Sequence, residues 1–349
     1  MPSSTAKRVV LLAGGRSSER DVSLASGEAV RVGLTEQGHD VVAIEIGRDG
    51  RWFPVERFGV GEVPIGEPLQ ISPGEGLLGA EVVFPVLHGP FGEDGVIQGT
   101  LESLDVPYVG SGVAASAICL DKLLFKEVAA QASIPQVNYV AVHAGEWNRD
   151  EDRRASLLDK AAALGFPSFV KPARLGSSVG ISRVAERGDL GHAIETALKF
   201  DPRVIVEAGS SGDEIECSVL GNREVEVSQP GKLEFDGDWY DFEAKYEEGG
   251  MRLIAPAPIS ESLEIELATM AAKVFKLVGC SGMARVDFFV EHGDDPTVLV
   301  NEINTIPGFT RTSVYAKLFE ASGLPYGDLL GRLLDLAIAR HAEERGFNF

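Results

Sequence analysis

The sequence predicts an α/β protein with a parallel sheet at its N-terminus and further domains behind it. Two observations carry the sheet. Arg8–Ala13 is apolar after its first residue and closes on Gly14-Gly15, the pattern of a strand buried on both faces. Strands and helices then alternate over about the first 110 residues, as in consecutive βαβ units. The third observation is size. A chain of 349 residues exceeds one domain of roughly 100–200 residues, and its pattern changes after residue 120.

The first helix should follow Gly15, with Ser17 or Ser18 as N-cap and Gly38 just past its end. Val41–Ile46 reads as the next strand. Residues 48–79 are rich in Gly and Pro, without clear periodicity. Glu81–Leu87 is a strand, His88–Gly95 a glycine-rich loop, Ile97–Leu104 a helix and Pro107–Val109 a short strand. Asp121–Ala132 has an amphipathic helical pattern. Beyond it, Val137–Val142, Phe169–Lys171, Gly180–Val184, Val204–Val206 and Glu214–Leu220 read as strands. Ala155–Leu164 and Leu190–Leu198 read as helices. Residues 234–255 are polar, glycine-containing and aromatic, the composition of a mobile loop. Ser260–Leu277 and Pro325–His341 are helices, and Arg285–Val290 with Val298–Ile303 are paired strands.

Composition narrows the function classes. The net charge is −21, a field that repels nucleic acid and anionic membranes. A polyanion such as ATP would need a local cluster of lysines and a metal. Three scattered cysteines argue against structural zinc and a disulfide framework, and fit a cytoplasmic protein. No secretory leader or membrane span is apparent in the pattern.

The most informative segment runs from Met283 to Asn304. A four-residue loop at Gly293–Pro296 would pair His292 with Thr297, Asp287 with Glu302 and Arg285 with Asn304. Arg285, Asp287, Glu302 and Asn304 then share one face. Two opposed carboxylates among apolar neighbours would repel and lose hydration. A Mg²⁺ held by Asp287, Glu302 and Asn304 resolves this; a solvated face with Arg285 bridging the acids is the other reading.

Four further segments stand out. Phe169-Val-Lys171 ends a strand and opens a Gly/Ser loop, Gly176-Ser177-Ser178, whose backbone could approach phosphates or form a plain turn. Gly110-Ser-Gly112-Val-Ala-Ala115 resembles a dinucleotide fingerprint but lacks the acidic strand end at the expected distance of about 20 residues, which argues against NAD. Pro307-Gly308 could hold an oxyanion on the Gly308 N–H, or be an ordinary type II turn. Glu19 lies at a strand-to-helix junction, where it could meet a ligand or the helix dipole. His88 closes a strand at the same edge.

Taken together, these segments resemble the D-alanine:D-alanine ligases of the ATP-grasp superfamily. The segments are Gly14-Gly15 with Ser18-Glu19-Arg20-Asp21-Val22-Ser23, His88–Gly95, Gly110-Ser111-Gly112, Asp121-Lys122, Lys171-Pro172 and Asn301–Gly308. The resemblance spans essentially the whole chain. It implies a Rossmann-like, pre-ATP-grasp parallel-sheet domain over 1–120 that binds substrate. A two-lobed α+β ATP-grasp fold would follow, with a central lobe over 121–205 and a C-terminal lobe over 206–349. The implied reaction joins two D-alanine molecules through an acyl phosphate, for peptidoglycan precursors, with ATP and two Mg²⁺ ions (or Mn²⁺) in a cytoplasmic homodimer.

Residue roles follow from the resemblance alone. Lys122, Lys171 and Lys245 would hold ATP phosphates, with Ser178 beside them. Glu207 would meet the adenine amino group, Ala208 and Gly209 the adenine hinge, and Glu214 the ribose. Asp287, Glu302 and Asn304 would bind the metals. Glu19 would take the first D-alanine ammonium, with His88 nearby and Ser177 and Tyr246 linked to Glu19. Arg285, Gly308 and Ser313 would hold the oxyanion and the second carboxylate, and Tyr240 would touch substrate. Ligases that use D-lactate or D-serine, an NAD-dependent dehydrogenase and an inactive ATP-binding module are the alternatives. The segment Glu243-Ala-Lys245-Tyr246 speaks for D-alanine as second substrate.

Overall fold

The computed structural model describes residues 6–235, 251–293 and 296–347. Tyr240, Lys245 and Tyr246 lie outside the described residues. The N-terminal sheet has the order β3-β2-β1-β4, formed by β1 (Arg8–Gly14), β2 (Asp40–Ile46), β3 (Trp52–Val55) and β4 (Val82–Pro85). β1 pairs in parallel with β2 and β4, whereas β3 joins antiparallel. The expected parallel sheet therefore carries an antiparallel edge. β3 lies inside the Gly/Pro-rich stretch and contains Pro54, which lacks an N–H and suits an edge. The strand expected at 107–109 reduces to one bridge, Val83 to Tyr108.

Helix α1 (Arg20–Glu36) packs on this sheet through Leu24, Gly27, Val30 and Leu34, a stripe at helical spacing. Its N-cap is Glu19, not Ser17 or Ser18, and the Glu19 side chain makes no capping bond. The Ser17 hydroxyl instead accepts from the Glu19 N–H at 3.1 Å and donates to the His88 carbonyl at 2.6 Å. The Glu19 carboxylate is thereby left to point elsewhere. The helix stops where expected, with Gly38 at φ +83°.

Three helices lead into the rest of the chain: α2 (Val96–Leu104), α3 (Val113–Leu120) and α4 (Lys122–Gln131). α3 is Val-Ala-Ala-Ser-Ala-Ile-Cys-Leu, so uniformly apolar and small that it shows no amphipathic period. Asp121 caps α4, accepting from the N–H groups of Leu123 and Leu124.

The central sheet is antiparallel, in the order β5 (Tyr139–His143), β8 (Arg203–Ala208), β6 (Ser168–Pro172), β7 (Ser182–Val184). α5 (Ala144–Trp147), α6 (Glu151–Ala162) and α7 (Leu190–Ala197) pack with it in one apolar core. β8 runs on to Ala208, so the change of sheet falls a few residues beyond the expected limit at 205. The C-terminal sheet is also antiparallel: β12 (Met251–Ile254), β11 (Gly231–Phe235), β9 (Asp213–Gly221), β13 (Gly282–Glu291), β14 (Thr297–Asn304), with β10 (Val225–Val227) on β9. β11 and β12 take up both ends of the expected 234–255 loop, leaving only 236–250 outside the described residues. α8 (Glu261–Leu277) covers this sheet.

After β14 come α9 (Val314–Ala321) and α10 (Tyr326–Glu344). Leu329, Leu330, Leu333 and Leu334 of α10 share a buried core with Val9, Leu11, Leu24 and Val30. The last helix thus returns to the first domain, and the core there is built from both ends of the chain. α1 reaches the sheet closely only because Gly27 has no side chain: a Cβ there would sit 2.5 Å from the Ala13 Cβ. Gly27→Ala should therefore destabilise the protein by about 1–3 kcal/mol in urea unfolding, because overpacking outweighs the roughly 1 kcal/mol of helix propensity gained.

Candidate active site

The β13–β14 hairpin sets the acidic face. Asp287 lies opposite Glu302 and Arg285 opposite Asn304, as the sequence reading has it. The strand ends differ: Thr297 pairs with Glu291 rather than His292. A bulge between Asp287 and Phe288, where Val300 rather than Asn301 opposes Phe288, absorbs the difference. The loop is thus one residue longer than expected, and the bulge restores the register at the functional end.

Arg285 does bridge acids. Its Nε and one terminal nitrogen each donate to Asp287 at 2.7 Å, and Nε lies 3.1 Å from Glu216. Asn304 Nδ2 adds a third bond to Asp287 at 3.0 Å. The face is not solvated, however, since Asp287 is 8 % exposed. Burial alone would ease the proton off Arg285, but Asp287 and Glu216 hold its pKa well above the ordinary guanidinium value.

Lysines compensate the remaining acids. Lys122 Nζ lies 3.3 Å from Glu302 and donates to the Leu175 carbonyl at 2.9 Å. Glu207 is flanked by two lysines, Lys171 at 2.6 Å and Lys126 at 2.9 Å, one on each oxygen. Burial pushes the Glu207 carboxyl up, but Lys171 and Lys126 outweigh it and hold the pKa at about 2. Lys171 is raised in turn: burial works against its charge and Glu207 prevails.

These groups line two adjoining cavities. One, of about 340 Å³, is walled by Lys122, Lys171, Ser178, Glu207, Ala208, Glu214 and Asp287, with Phe169, Phe288 and Ile215 as apolar faces. The other, of about 940 Å³, is walled by Glu19, His88, Glu93, Arg285, Asn304, Gly308 and Ser313. Lys122, Ser177 and Glu302 border both. Ser177 donates a short hydrogen bond to Glu19, tying the Gly/Ser loop to the start of α1. Ser177 and Ser178 both adopt left-handed backbone, at φ +49° and +59°, a conformation that turns successive N–H groups to one side.

The third wall is the turn after β14. His88 is buried, and both ring nitrogens are engaged: Nδ1 with the Ile306 carbonyl at 2.9 Å and Nε2 with Ser26 Oγ at 3.2 Å. A carbonyl only accepts, so Nδ1 carries the proton. Burial lowers the His88 pKa against the pull of Glu19, which agrees with a neutral ring. Glu93 accepts from the Gly89 N–H at 2.8 Å and the Ile306 N–H at 3.2 Å. Burial and the nearby Glu19 carboxylate push its pKa up to about 8. Gly308 has no positive φ, which excludes a type II turn with Gly308 at its third position, and among the described residues its N–H meets no acceptor.

Most of the residues singled out in the sequence thus reach one cleft. Gly209 does not line either cavity; its N–H donates to the Pro167 carbonyl at 3.0 Å. Gly110 packs against the chain itself, since a Cβ on Gly282 would lie 3.0 Å from its nitrogen. Sequence reasoning missed three charged groups. Lys126 follows Lys122 by one helical turn, Glu216 follows Glu214 by one strand period, and Glu93 sits inside the His88–Gly95 motif. These spacings were the available signals.

Among the described residues no three His, Cys, Asp or Glu side chains gather around one point. Asp287, Glu302 and Asn304 still present two carboxylates and an amide on one face. That oxygen set suits Mg²⁺, which takes few protein ligands and completes its shell with water and phosphate. Among the described residues no helix is long and apolar enough to cross a membrane.

Known proteins resemble the chain over nearly its whole length. The family model for the D-ala D-ala ligase N-terminus matches residues 8–111, and that for the D-ala D-ala ligase C-terminus matches 128–335. The chain is 44 % identical over 340 residues to the D-alanine–D-alanine ligase of Deinococcus radiodurans, covering 95 % of this chain and 98 % of the relative. It is 41 % identical over 355 residues to that of Heliobacterium modesticaldum, covering 97 % and 96 %. Among solved structures, the D-alanine-D-alanine ligase from Coxiella burnetii superposes with a TM-score of 0.83 at 35 % identity, over 98 % of this chain and 97 % of that one. The VanG D-Ala:D-Ser ligase from Enterococcus faecalis gives 0.82 at 31 % identity, over 95 % and 100 %.

The buried Lys126–Glu207–Lys171 cluster has a pH signature. The folded Glu207 pKa lies below the ordinary value of 4.5, so its contribution is present above pH 4.5 and is lost as pH falls toward 2. That loss should be of order 3 kcal/mol, read from urea unfolding across that range. Glu207→Gln should flatten this acid limb and lower stability at neutral pH, by about 3–5 kcal/mol for a broken buried pair.

Proposed function

The chain belongs to the D-alanine:D-alanine ligase family, and from that premise we propose how its residues join two D-alanine molecules at the expense of ATP. The protein is an ATP-dependent ligase acting in cell-wall synthesis. The observation that carries the residue roles is the pair of adjoining cavities: one is lined by lysines and aromatic rings, the other by an acid, an arginine and the Gly308 backbone.

In the smaller cavity, Lys122 and Lys171 hold the ATP phosphates, with the Ser177–Ser178 backbone closing over them. Phe169 and Phe288 flank the flat base, and Glu214 faces the ribose. Glu207 acts first through its lysines: with both oxygens ion-paired, it fixes Lys171. From the family resemblance, Lys245 would reach the γ-phosphate, Tyr240 would touch substrate and Tyr246 would link to Glu19. Mg²⁺ bound by Asp287, Glu302 and Asn304 would neutralise charge on the transferred phosphoryl group. Arg285 already occupies part of the Asp287 carboxylate, so this arginine orients one of the metal ligands as well as facing substrate.

In the larger cavity, Glu19 takes the ammonium of the first D-alanine. The carboxylate oxygen of this first D-alanine attacks the γ-phosphorus of ATP, ADP leaves, and a D-alanyl phosphate results. The amine of the second D-alanine then attacks the carbonyl carbon. Arg285 and the Gly308 N–H stabilise the tetrahedral oxyanion, Ser313 meets the second carboxylate, and inorganic phosphate departs. The chemistry needs positioning and charge neutralisation, not a protein nucleophile. The product serves peptidoglycan precursors in the cytoplasm, and the working unit in this reading is a homodimer. A D-serine-using second site is the one competing reading with a specific observation behind it, the D-Ala:D-Ser ligase among the similar structures.

Phosphate release from Mg·ATP should depend on D-alanine and not on L-alanine, with a D-alanyl-D-alanine mass in the product. A mixed product with D-serine at equal substrate concentrations would move the assignment to the second reading. Arg285→Lys keeps the charge beside Asp287 and Glu216 but loses the planar fork, and turnover should fall by about 10²–10³. Unchanged turnover would remove Arg285 from the oxyanion site.

A further inference from the structure

The peptide unit of Ile306 is gripped from both sides by one loop. Its N–H donates to Glu93 at 3.2 Å, and its carbonyl accepts from His88 Nδ1 at 2.9 Å. Glu93 also ties the start of its own loop, through the Gly89 N–H at 2.8 Å. Three residues on, Phe309 is fully buried. Its N–H donates to Ser26 Oγ at 3.2 Å and its carbonyl accepts from the Tyr326 hydroxyl at 2.8 Å. Ser26 completes the circuit by meeting His88 Nε2. Between these anchors lie only Pro307, which has no N–H, and Gly308, whose N–H has no acceptor among the described residues.

We propose that Glu93 and His88 are positioning residues that clamp the Ile306 peptide and so aim the Gly308 N–H at the oxyanion. This rests on the oxyanion role given to Gly308 above. It also revises what His88 does. With both ring nitrogens used inside the protein, His88 acts on the turn rather than directly on substrate. A preorganised donor contributes to rate only if its direction is fixed before the charge develops. A Pro-Gly link left unclamped would have to be ordered in each turnover. The buried ring of Phe309, with Ser26 and Tyr326 on its peptide groups, holds one end, and Glu93 with His88 holds the other.

The test is Glu93→Gln, which keeps the size of the side chain but presents an amide NH₂ to one of two N–H donors. Three readouts separate the outcomes. Exchange of the Ile306 amide with deuterium should be faster than in the wild type. Turnover should fall by about tenfold or more while KM for ATP stays within about twofold, because loss of a transition-state contact lowers kcat rather than ground-state binding. Isotope scrambling in γ-labelled ATP, which reports acyl-phosphate formation, should be slowed less than product release. Glu93→Ala should show the same pattern more strongly, and circular dichroism of both variants establishes that they are folded. Unchanged exchange, or unchanged turnover in a folded variant, overturns the clamp. Equal slowing of both half-reactions with a raised KM for ATP also overturns it, since that is the mark of general loosening. If the wild type makes no D-alanyl-D-alanine while Glu93→Gln still speeds exchange at Ile306, the ligase reading fails and takes the catalytic role of the clamp with it.

Discussion

Four acidic side chains at the cleft stand against cations, and this charge pairing organises the site. Glu207, Glu216, Asp287 and Glu302 all project from the central and C-terminal sheets toward one region. Each is met by a cation: Lys126 and Lys122 from α4, Lys171 from the end of β6, and Arg285 from β13, the strand that also carries Asp287. Removing either partner would leave a charge stranded in low dielectric, which typically costs several kcal/mol. In a chain of net charge −21, this local balance is what lets a polyphosphate approach.

The same balance explains why two cavities meet where they do. Lys122 and Glu302 form an ion pair on the shared border, and Ser177 reaches across it to Glu19. Phosphates on one side and an amino-acid carboxylate on the other would both meet Lys122. The N-terminal domain contributes Glu19 because the N-cap position of α1 does not use its side chain, and Ser17 takes over the local backbone bonding. A capped Glu19 would have been turned away from the cleft.

The core supports this from behind. Phe309 packs at 5.4–5.9 Å from the rings of Phe84, Tyr315 and Tyr326, which belong to β4, α9 and α10. The turn that carries Gly308 is therefore seated on the N-terminal sheet and on the last two helices at once. Domain boundaries drawn along the chain miss this, because α10 completes a core begun by β1 and α1.

Sequence alone determined what depends on period and local chemistry. The strand period of two put Arg285, Asp287, Glu302 and Asn304 on one face, and the Gly/Pro/Ser segments marked the loops that line the cleft. The register held at its functional end only because a bulge near Asn301 offset a turn one residue longer than expected, and nothing in the pattern announces a bulge. Short or uniformly apolar elements, β3, α3 and α9, stayed illegible because four to eight residues span too little for a period to emerge. Long-range pairing was decided by tertiary structure alone. The Lys126–Glu207 pair, the grip of Glu93 and His88 on Ile306 and the return of α10 to the first domain join residues 80 to more than 300 positions apart. Such contacts follow from how the sheets and helices pack against one another, and local sequence carries no record of that geometry.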